Sequence, residues 1–199
     1  YIYIHDMSAR RDTMNCCLFD VKNVLSGGFE MGNLWYNEPK TLDTAFDVIG
    51  DIVLSAASQQ YGGFTVPSVD EILEPYAEKS HKKLIEKYRA LGLDEEVVQK
   101  IAWSDLEKEM EQGFQGWEYK FNSVSSSRGD YPFITVTAGT VPSKYGKLVT
   151  MKMLEVRKNG QGKEGHKKPV LFPKIVFLYD ENLHGPGGPM EDVFEAGID

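Results

Sequence analysis

The sequence feature that most constrains the fold is a nearly continuous apolar run at residues 170–179, V-L-F-P-K-I-V-F-L-Y. Such a run is typical of a strand buried on both faces, as in a parallel or mixed sheet covered by helices. A second strand pattern lies at residues 132–138, after a polar loop. Helical patterns lie before and between these strands, and alternating strands and helices indicate an α/β layer structure.

Five helices are predicted from apolar residues that recur at three- and four-residue spacing. They cover residues 41–60, 68–91, 104–121, 148–156 and the segment that begins at Met190. The first of them is the clearest and has Thr41 as its cap. Ser-x-x-Glu capping boxes at Ser68 and Ser104 predict where the second and third helices begin.

The only two cysteines, Cys16 and Cys17, are adjacent in a run of apolar and β-compatible residues from Met14 to Val21. This run favours a buried strand over a helix. Successive side chains on a strand point to opposite faces, so one sulfur can face a cavity while the other must face the packing. The alternation alone does not decide which one. The pair therefore supplies at most one working thiol.

Composition excludes several classes of function. A formal net charge of -8 and a pI near 5.1 argue against a broad electrostatic grip on DNA or RNA, although a local basic pocket can still bind a small anion. No apolar run approaches the ~20 residues of a membrane span, and no signal peptide is recognisable. The four histidines show no paired ligand spacing, so no metal site is predicted. We expect a cytoplasmic protein.

Two loops contain candidate groups for phosphate or effector binding. Ser126 and Arg128 precede the strand at residues 132–138, where turn-forming serines are the alternative explanation. Lys163 and Lys167 belong to a basic loop that could meet a triphosphate or could simply be a flexible loop. The G-x-G-x-x-G match in this second loop is rejected as a dinucleotide site, because a helix precedes it and a strand follows it.

Four blocks, in one order, strongly resemble the catalytic domain of the anaerobic, glycyl-radical ribonucleoside-triphosphate reductases. They are N-C-C-L-F-D-V-K-N-V-L-S-G-G-F-E-M-G-N, E-P-K-T-L-D-T-A, Q-Q-Y-G-G-F-T and F-P-K-I-V-F. The resemblance extends over essentially the whole chain. It implies that residues 1–199 are one fragment of the catalytic domain, about half of a ten-stranded α/β barrel.

The resemblance also implies a chemistry, the reduction of ribonucleoside triphosphates to deoxyribonucleoside triphosphates for DNA synthesis. In similar enzymes a loop cysteine becomes a thiyl radical, and a second cysteine on an early barrel strand helps the 2′ hydroxyl leave by supplying a proton. The matched N-C block assigns that second role to Cys16, with Cys17 directed into the packing. His5 and Asn15 match the same pattern, although His5 could equally be a structural histidine and Asn15 could satisfy backbone groups.

The cofactors and partners that the resemblance implies belong to the whole enzyme. They are a glycyl radical, zinc, formate or a thiol reductant, ATP and dNTP effectors, a radical-SAM activating enzyme and a second copy in a homodimer. No residue here matches the finger-loop cysteine, the radical glycine or the ATP-cone. We therefore expect this fragment to be inactive alone, to contain no cofactor, and to expose sheet edges and apolar surface.

Two other interpretations remain at this point. In enzymes of the pyruvate formate-lyase type, a Cys-Cys pair is itself the working unit, but it lies on a loop rather than in a strand pattern. Alternatively, the helices within residues 41–121 could form a non-catalytic nucleotide-binding or dimerisation module. Without the resemblance, Cys16 and Cys17 could also be inert core residues, because buried free cysteines usually behave as small hydrophobes.

Overall fold

The structure, a computed structural model, describes residues 15–60, 62–125, 129 and 131–198. Its elements alternate between strands and helices for most of the chain. In order they are β1 (Cys17–Leu18), α1 (Val21–Leu25), β2 (Phe29–Met31), β3 (Leu34–Tyr36), α2 (Leu42–Ala57), β4 (Phe64–Val66), α3 (Val69–Arg89), α4 (Glu95–Ser123), β5 (Ile134–Ala138), α5 (Lys144–Asn159), β6 (Lys174–Phe177), α6 (Glu181–His184) and α7 (Glu191–Ile198).

Four of the strands form one parallel sheet in the order β1-β4-β5-β6. Cys17 pairs with Phe64, which pairs with Ile134 on the next strand. Thr135 pairs with Lys174 at the far side. Strands β2 and β3 form a separate antiparallel hairpin. The predicted parallel sheet with helical connections is confirmed.

The core lies between the sheet and a layer of helices. Alternate side chains of β4 and β5 are buried and join the apolar faces of α2 to α5 in one cluster. These strand residues are Phe64, Val66, Ile134, Val136 and Ala138. Helices α2 and α4 cross closely where Gly113 meets the Phe46 ring, since a Cβ at Gly113 would lie only 2.2 Å from that ring.

The predicted strand around the cysteines is wrong in length and burial. Only Cys17–Leu18 is strand, because Asp20 caps a short helix that begins at Val21. The Asp20 carboxylate accepts a hydrogen bond from the Asn23 backbone N–H at 3.1 Å. Leu18 is 75% exposed, as expected for a strand at the sheet edge rather than one inside it.

The strand predicted at residues 170–179 is also shorter and less buried. Strand β6 covers Lys174–Phe177, and its exposed and half-buried residues alternate. Lys174 and Val176 are exposed, so only one face of β6 is covered among the described residues. Burial on both faces, which the apolar run suggested, does not occur here. The expected exposure of sheet edges and apolar surface is confirmed for the described residues.

Helix positions agree better with the sequence than helix caps do. Ser68 stands before α3, but its φ is 51° and its side chain makes no cap hydrogen bond. The third helix begins at Glu95 rather than at Ser104, because Asp94 caps it by accepting from the Glu96 N–H at 3.0 Å. The helix start predicted at Ser68 is confirmed, although its side chain forms no cap, whereas the start predicted at Ser104 is wrong. The hairpin β2–β3 and helices α1 and α6 were not predicted.

Candidate functional site

Among the residues that the structure describes, helices cover one face of the sheet and leave the other open. Side chains alternate along a strand, so the neighbours of the buried residues point to the opposite side. We call that side the open face, and among the paired strands it consists of Leu18, Thr65, Thr135, Thr137, Lys174 and Val176. These residues are exposed or half-buried, whereas most of their neighbours on the helix-covered side are buried.

The two cysteines lie in different surroundings. Cys16 is exposed, and its Sγ accepts a hydrogen bond from the Gly63 N–H at 3.3 Å. Cys17 is half-buried against the hydrophobic core, and its Sγ accepts from Gln60 Nε2 at 2.8 Å. The prediction that Cys17 points into the packing is confirmed. Cys16 lies immediately before β1 and is exposed at the amino end of that strand.

A glycine pair holds the segment that contains Cys16. The Gly62 N–H donates to the Asn15 carbonyl at 2.5 Å, and the Cys17 N–H donates to the Gly63 carbonyl at 3.0 Å. A Cβ at Gly62 would lie 2.5 Å from the Cys16 sulfur, so no larger residue fits there without displacing the thiol. The sequence alone did not reveal the contact of these glycines with Cys16.

Of the other predicted site residues, Asn15 is the one that lies beside the thiol in the part of the chain that the structure describes. His5, Ser126 and Arg128 lie outside the described residues. Lys163 and Lys167 are exposed in the loop that leads into β6. Three strand spacings of about 4.8 Å separate β6 from β1 by roughly 14 Å. The structure therefore brings Asn15 and Cys16 together and places the two lysines at the other side of the sheet.

A buried ion pair supports the segment just before β6. Arg157 Nε donates to Glu118 Oε1 at 2.8 Å, and Glu118 is only 4% exposed. The same guanidinium donates to the carbonyls of Val170 at 3.1 Å and Pro173 at 2.5 Å. Gln161 Nε2 donates to the second Glu118 oxygen at 2.6 Å. The Arg157 guanidinium, near the end of α5, is thus fully engaged in contacts within the protein.

An asparagine from α4 fixes the same segment. Asn122 Oδ1 accepts from the backbone N–H groups of Leu171 and Phe172 at 3.2 and 3.0 Å. Its Nδ2 donates to the Phe172 carbonyl at 2.6 Å. Neither Asn122 nor Glu118 was singled out from sequence. The only signal was polar residues on the apolar side of a helix, next to Trp117 and Phe121.

Lys174 follows this segment directly and was given no role by the sequence pattern. Its Nζ lies 4.1 Å from the centroid of the Phe133 ring, a cation–π contact. Gly63 leaves room for that ring, since a Cβ there would lie 3.3 Å from it. Lys174 is the one charged side chain on the open face as defined above.

Comparison with known proteins identifies the family of this chain. The family model described as anaerobic ribonucleoside-triphosphate reductase matches residues 1–196. The chain belongs to that family. The enzyme of that name from Enterobacteria phage T4 is 34% identical over 92% of this chain and 30% of its own length. The enzyme from Haemophilus influenzae is 34% identical over 100% of this chain and 28% of its own length.

Solved structures agree on the fold. The anaerobic ribonucleotide reductase from Thermotoga maritima in complex with dATP and CTP superposes with a TM-score of 0.56 at 15% identity, over 77% of this chain and 26% of that one. The same enzyme with citrate in the active site gives 0.54 over 78% and 29%. The predicted fold class, an α/β part of the reductase barrel, is confirmed. The chain spans about 30% of the length of the curated relatives it matches.

Two groups whose pKa is shifted by burial, Tyr76 and His81, lie on α3 rather than on the open face. Burial, reinforced by the nearby Glu38 charge, raises the pKa of Tyr76 to about 12. Burial, followed by the Lys144 charge, lowers the pKa of His81.

Among the residues described, no group of three or more His, Cys, Asp or Glu side chains could hold a metal ion. None of the described helices is long and apolar enough to cross a membrane.

Proposed function

We propose that this chain is part of an enzyme that reduces ribonucleoside triphosphates to deoxyribonucleoside triphosphates without oxygen, for DNA synthesis. The observation that supports the proposal most directly is the position of the two thiols. Cys16, in the N-C block that resembles the family, is exposed at the amino end of β1, while Cys17 packs against the core. Of the two thiols, Cys16 is the one accessible to a substrate.

Cys16 has the chemistry that the reaction requires. A thiol donates a proton near neutral pH and carries a hydrogen atom that can be transferred, whereas a serine hydroxyl does neither readily. Cys16 would supply the proton that lets the ribose 2′ hydroxyl leave as water. The exposed Asn15 is the adjacent residue that would hydrogen-bond a substrate hydroxyl, and we place His5 in the same site.

The other parts of the reaction belong to the proposed whole enzyme. A glycyl radical, once installed by a radical-SAM activating enzyme, would supply the hydrogen-abstraction chemistry through a finger-loop cysteine. The described residues here contain no matching donor set for zinc, so we place the zinc site elsewhere in that enzyme. Residues 1–199 would form a fragment of its barrel domain, without the ATP-cone. Formate or a thiol system would supply electrons, and ATP and dNTPs would act as effectors on a cytoplasmic homodimer.

Exposed apolar side chains support a role within a larger structure. Leu18 and Val176 are 75% and 43% exposed at the two outer strands of the sheet, and Trp35 in the hairpin is exposed as well. Further strands of a barrel would cover such groups. The pyruvate formate-lyase interpretation loses support, because Cys16 and Cys17 contact different surroundings and do not form one paired unit.

The proposal is tested in the full-length enzyme, activated anaerobically and assayed for conversion of CTP to dCTP. Cys16→Ala is expected to reduce dCTP formation by more than about a hundredfold, the scale at which loss of a proton-transferring group acts. Cys17→Ala is the matched control, because it removes the neighbouring sulfur from the packed side, and it should retain most of the activity. Full activity of Cys16→Ala would contradict the role of this thiol, and no nucleotide reduction by the wild type would contradict the proposed function itself.

A further inference from the structure

The open face has few kinds of chemical group, and its one charged side chain has no acidic partner among the described residues. Beside apolar Leu18 and Val176 it presents threonine hydroxyls and the ammonium group of Lys174. Among the described residues, no carboxylate lies within 4.0 Å of Lys174 Nζ. By contrast, Lys22 and Lys147 each have an acidic partner within 2.7 Å. Exposed lysines such as Lys158 also have no acidic partner among the described residues, so it is the position of Lys174 on the open face that makes its charge available to an anion there.

The backbone under Lys174 is held firmly even though its side chain is exposed. Arg157 binds the carbonyl of Pro173, the preceding residue, and Asn122 binds both backbone groups of Phe172. Thr135 pairs with Lys174 on the sheet side. The ammonium also rests over the Phe133 ring, which keeps it over the open face. Groups fixed in this way need little ordering when a ligand binds.

The distance across the sheet indicates what kind of anion fits. Strands β1 and β6 are roughly 14 Å apart, at about 4.8 Å per strand. A small carboxylate held near Cys16 would not reach Lys174. A nucleoside triphosphate is elongated, with its reacting ribose and its charged phosphates at different ends, and can contact both residues at once. Thr65 and Thr135 lie on the two strands between them.

We propose that Lys174 binds the triphosphate of the nucleotide whose ribose lies against Cys16. The inference rests on the proposed function, since it places the phosphates of that substrate. Lysine acts here as a point charge for phosphate oxygens, and the neighbouring threonine hydroxyl of Thr135 donates to the same group. Lys174 is thus a substrate-positioning residue of the open face and takes no part in hydrogen or proton transfer.

The test measures equilibrium binding of CTP and of cytidine to the full-length enzyme without activation, so that it does not depend on turnover. Lys174→Gln is expected to weaken CTP binding by about tenfold to a hundredfold, the usual contribution of a charge-assisted hydrogen bond. It should leave cytidine binding unchanged. Lys174→Arg should restore CTP affinity to within about threefold. Lys158→Gln, which removes an exposed lysine at the end of α5, is the matched control and should not change either affinity.

Three results would overturn the inference. Unchanged CTP affinity in Lys174→Gln would make this lysine a charge that only protects a sheet edge from pairing. Equal losses of CTP and cytidine affinity would indicate a distorted site, which the melting temperature of the variant and the behaviour of Lys174→Arg would identify. A raised KM for formate with unchanged CTP affinity would assign the lysine to a carboxylate instead.

A wild type that binds CTP but forms no dCTP would contradict the proposed function. The effect of Lys174→Gln on CTP binding would then stand as a separate result.

Discussion

The two outer strands of the sheet are fixed in different ways. At β1, Cys16 and its neighbours are held by backbone hydrogen bonds to Gly62 and Gly63 and by the lack of a side chain at Gly62. At β6, the backbone before Lys174 is held by a buried ion pair and side-chain hydrogen bonds from two helices. A thiol is thus positioned by close backbone contact, and a lysine is positioned by a polar network. We therefore expect the β1 side to be disturbed by added side-chain volume and the β6 side to be disturbed by loss of a charge.

Removing one charge from the β6 network should have the largest effect. Glu118→Gln leaves Arg157 with a neutral partner at a site where Glu118 is 4% exposed. Loss of one partner of a buried ion pair typically costs about 3–5 kcal/mol. Hydrogen exchange at the amides of Leu171 and Phe172 should accelerate accordingly. Glu95→Gln, in the exposed pair with Arg89, is the control and should change local stability little. Equal effects of the two substitutions would refute the difference between a buried and an exposed pair.

Adding one methyl group at the β1 side should have the next largest effect. A Cβ at Gly62 would lie 2.5 Å from Cys16 Sγ, so Gly62→Ala must displace the thiol or the strand. Overpacking of this kind costs about 1–3 kcal/mol. We expect dCTP formation in the full-length enzyme to fall at least about tenfold. The control is Gly116→Ala, because nothing lies within 4 Å of a Cβ there, and it should leave activity intact. Unaltered activity of Gly62→Ala would show that the close contact does not position the thiol.

The two effects should be independent of each other. The β1 and β6 strands do not pair, and β4 and β5 lie between them. For sites this far apart, changes in unfolding free energy usually add within about 0.5 kcal/mol. The double variant Gly62→Ala, Glu118→Gln, compared with both single variants by urea unfolding, should show no larger coupling. A coupling above about 1 kcal/mol would mean that the sheet transmits strain between its outer strands.

The smallest expected effect is a change of folding stability with pH, through His81 in the helical layer that packs against the sheet. The folded protein holds the His81 pKa below its ordinary value, through burial and then the Lys144 charge. The unfolded chain therefore takes up a proton near pH ~6.5 while the folded protein does not, and stability falls as pH falls below that point. The urea midpoint should drop between about pH 7.5 and about pH 5.5. His81→Phe should reduce this drop; an unchanged drop would assign it to other groups.

Local patterns in the sequence were enough for the layer structure and for the positions of most helices. Apolar spacing identified α2 and β5, because each buries a single continuous side against the core. The extent of β1 and β6 could not be obtained in this way, since a run of apolar residues does not reveal which face its neighbours cover. Asp20 shows the limit, because its role as a cap for α1 ends a strand that the apolar pattern continues.

The site was predictable only in part for the same reason. Strand alternation implied that one of the two cysteines points inward, and the family resemblance selected Cys16 for the site. The structure places Cys17 against the core, while the catalytic role of Cys16 stays a prediction. The hydrogen-bond partners of the Glu118 carboxylate lie 39 or more positions away in the sequence, and Gly62 contacts Cys16 from 46 positions away. No local signal encodes contacts of this length.

Asp70 has a consequence for how such a protein can change over evolutionary time. Its buried carboxylate oxygen Oδ2 accepts from three successive backbone N–H groups, those of Gly139, Thr140 and Val141, at 2.9, 2.9 and 3.2 Å. This clamp ties α3 to the carboxyl end of β5, whereas Cys16 precedes β1 at the amino end of the sheet. Because these two places lie at opposite ends of the sheet, a substitution that the packing around the thiol tolerates leaves the Asp70 contacts between α3 and β5 intact.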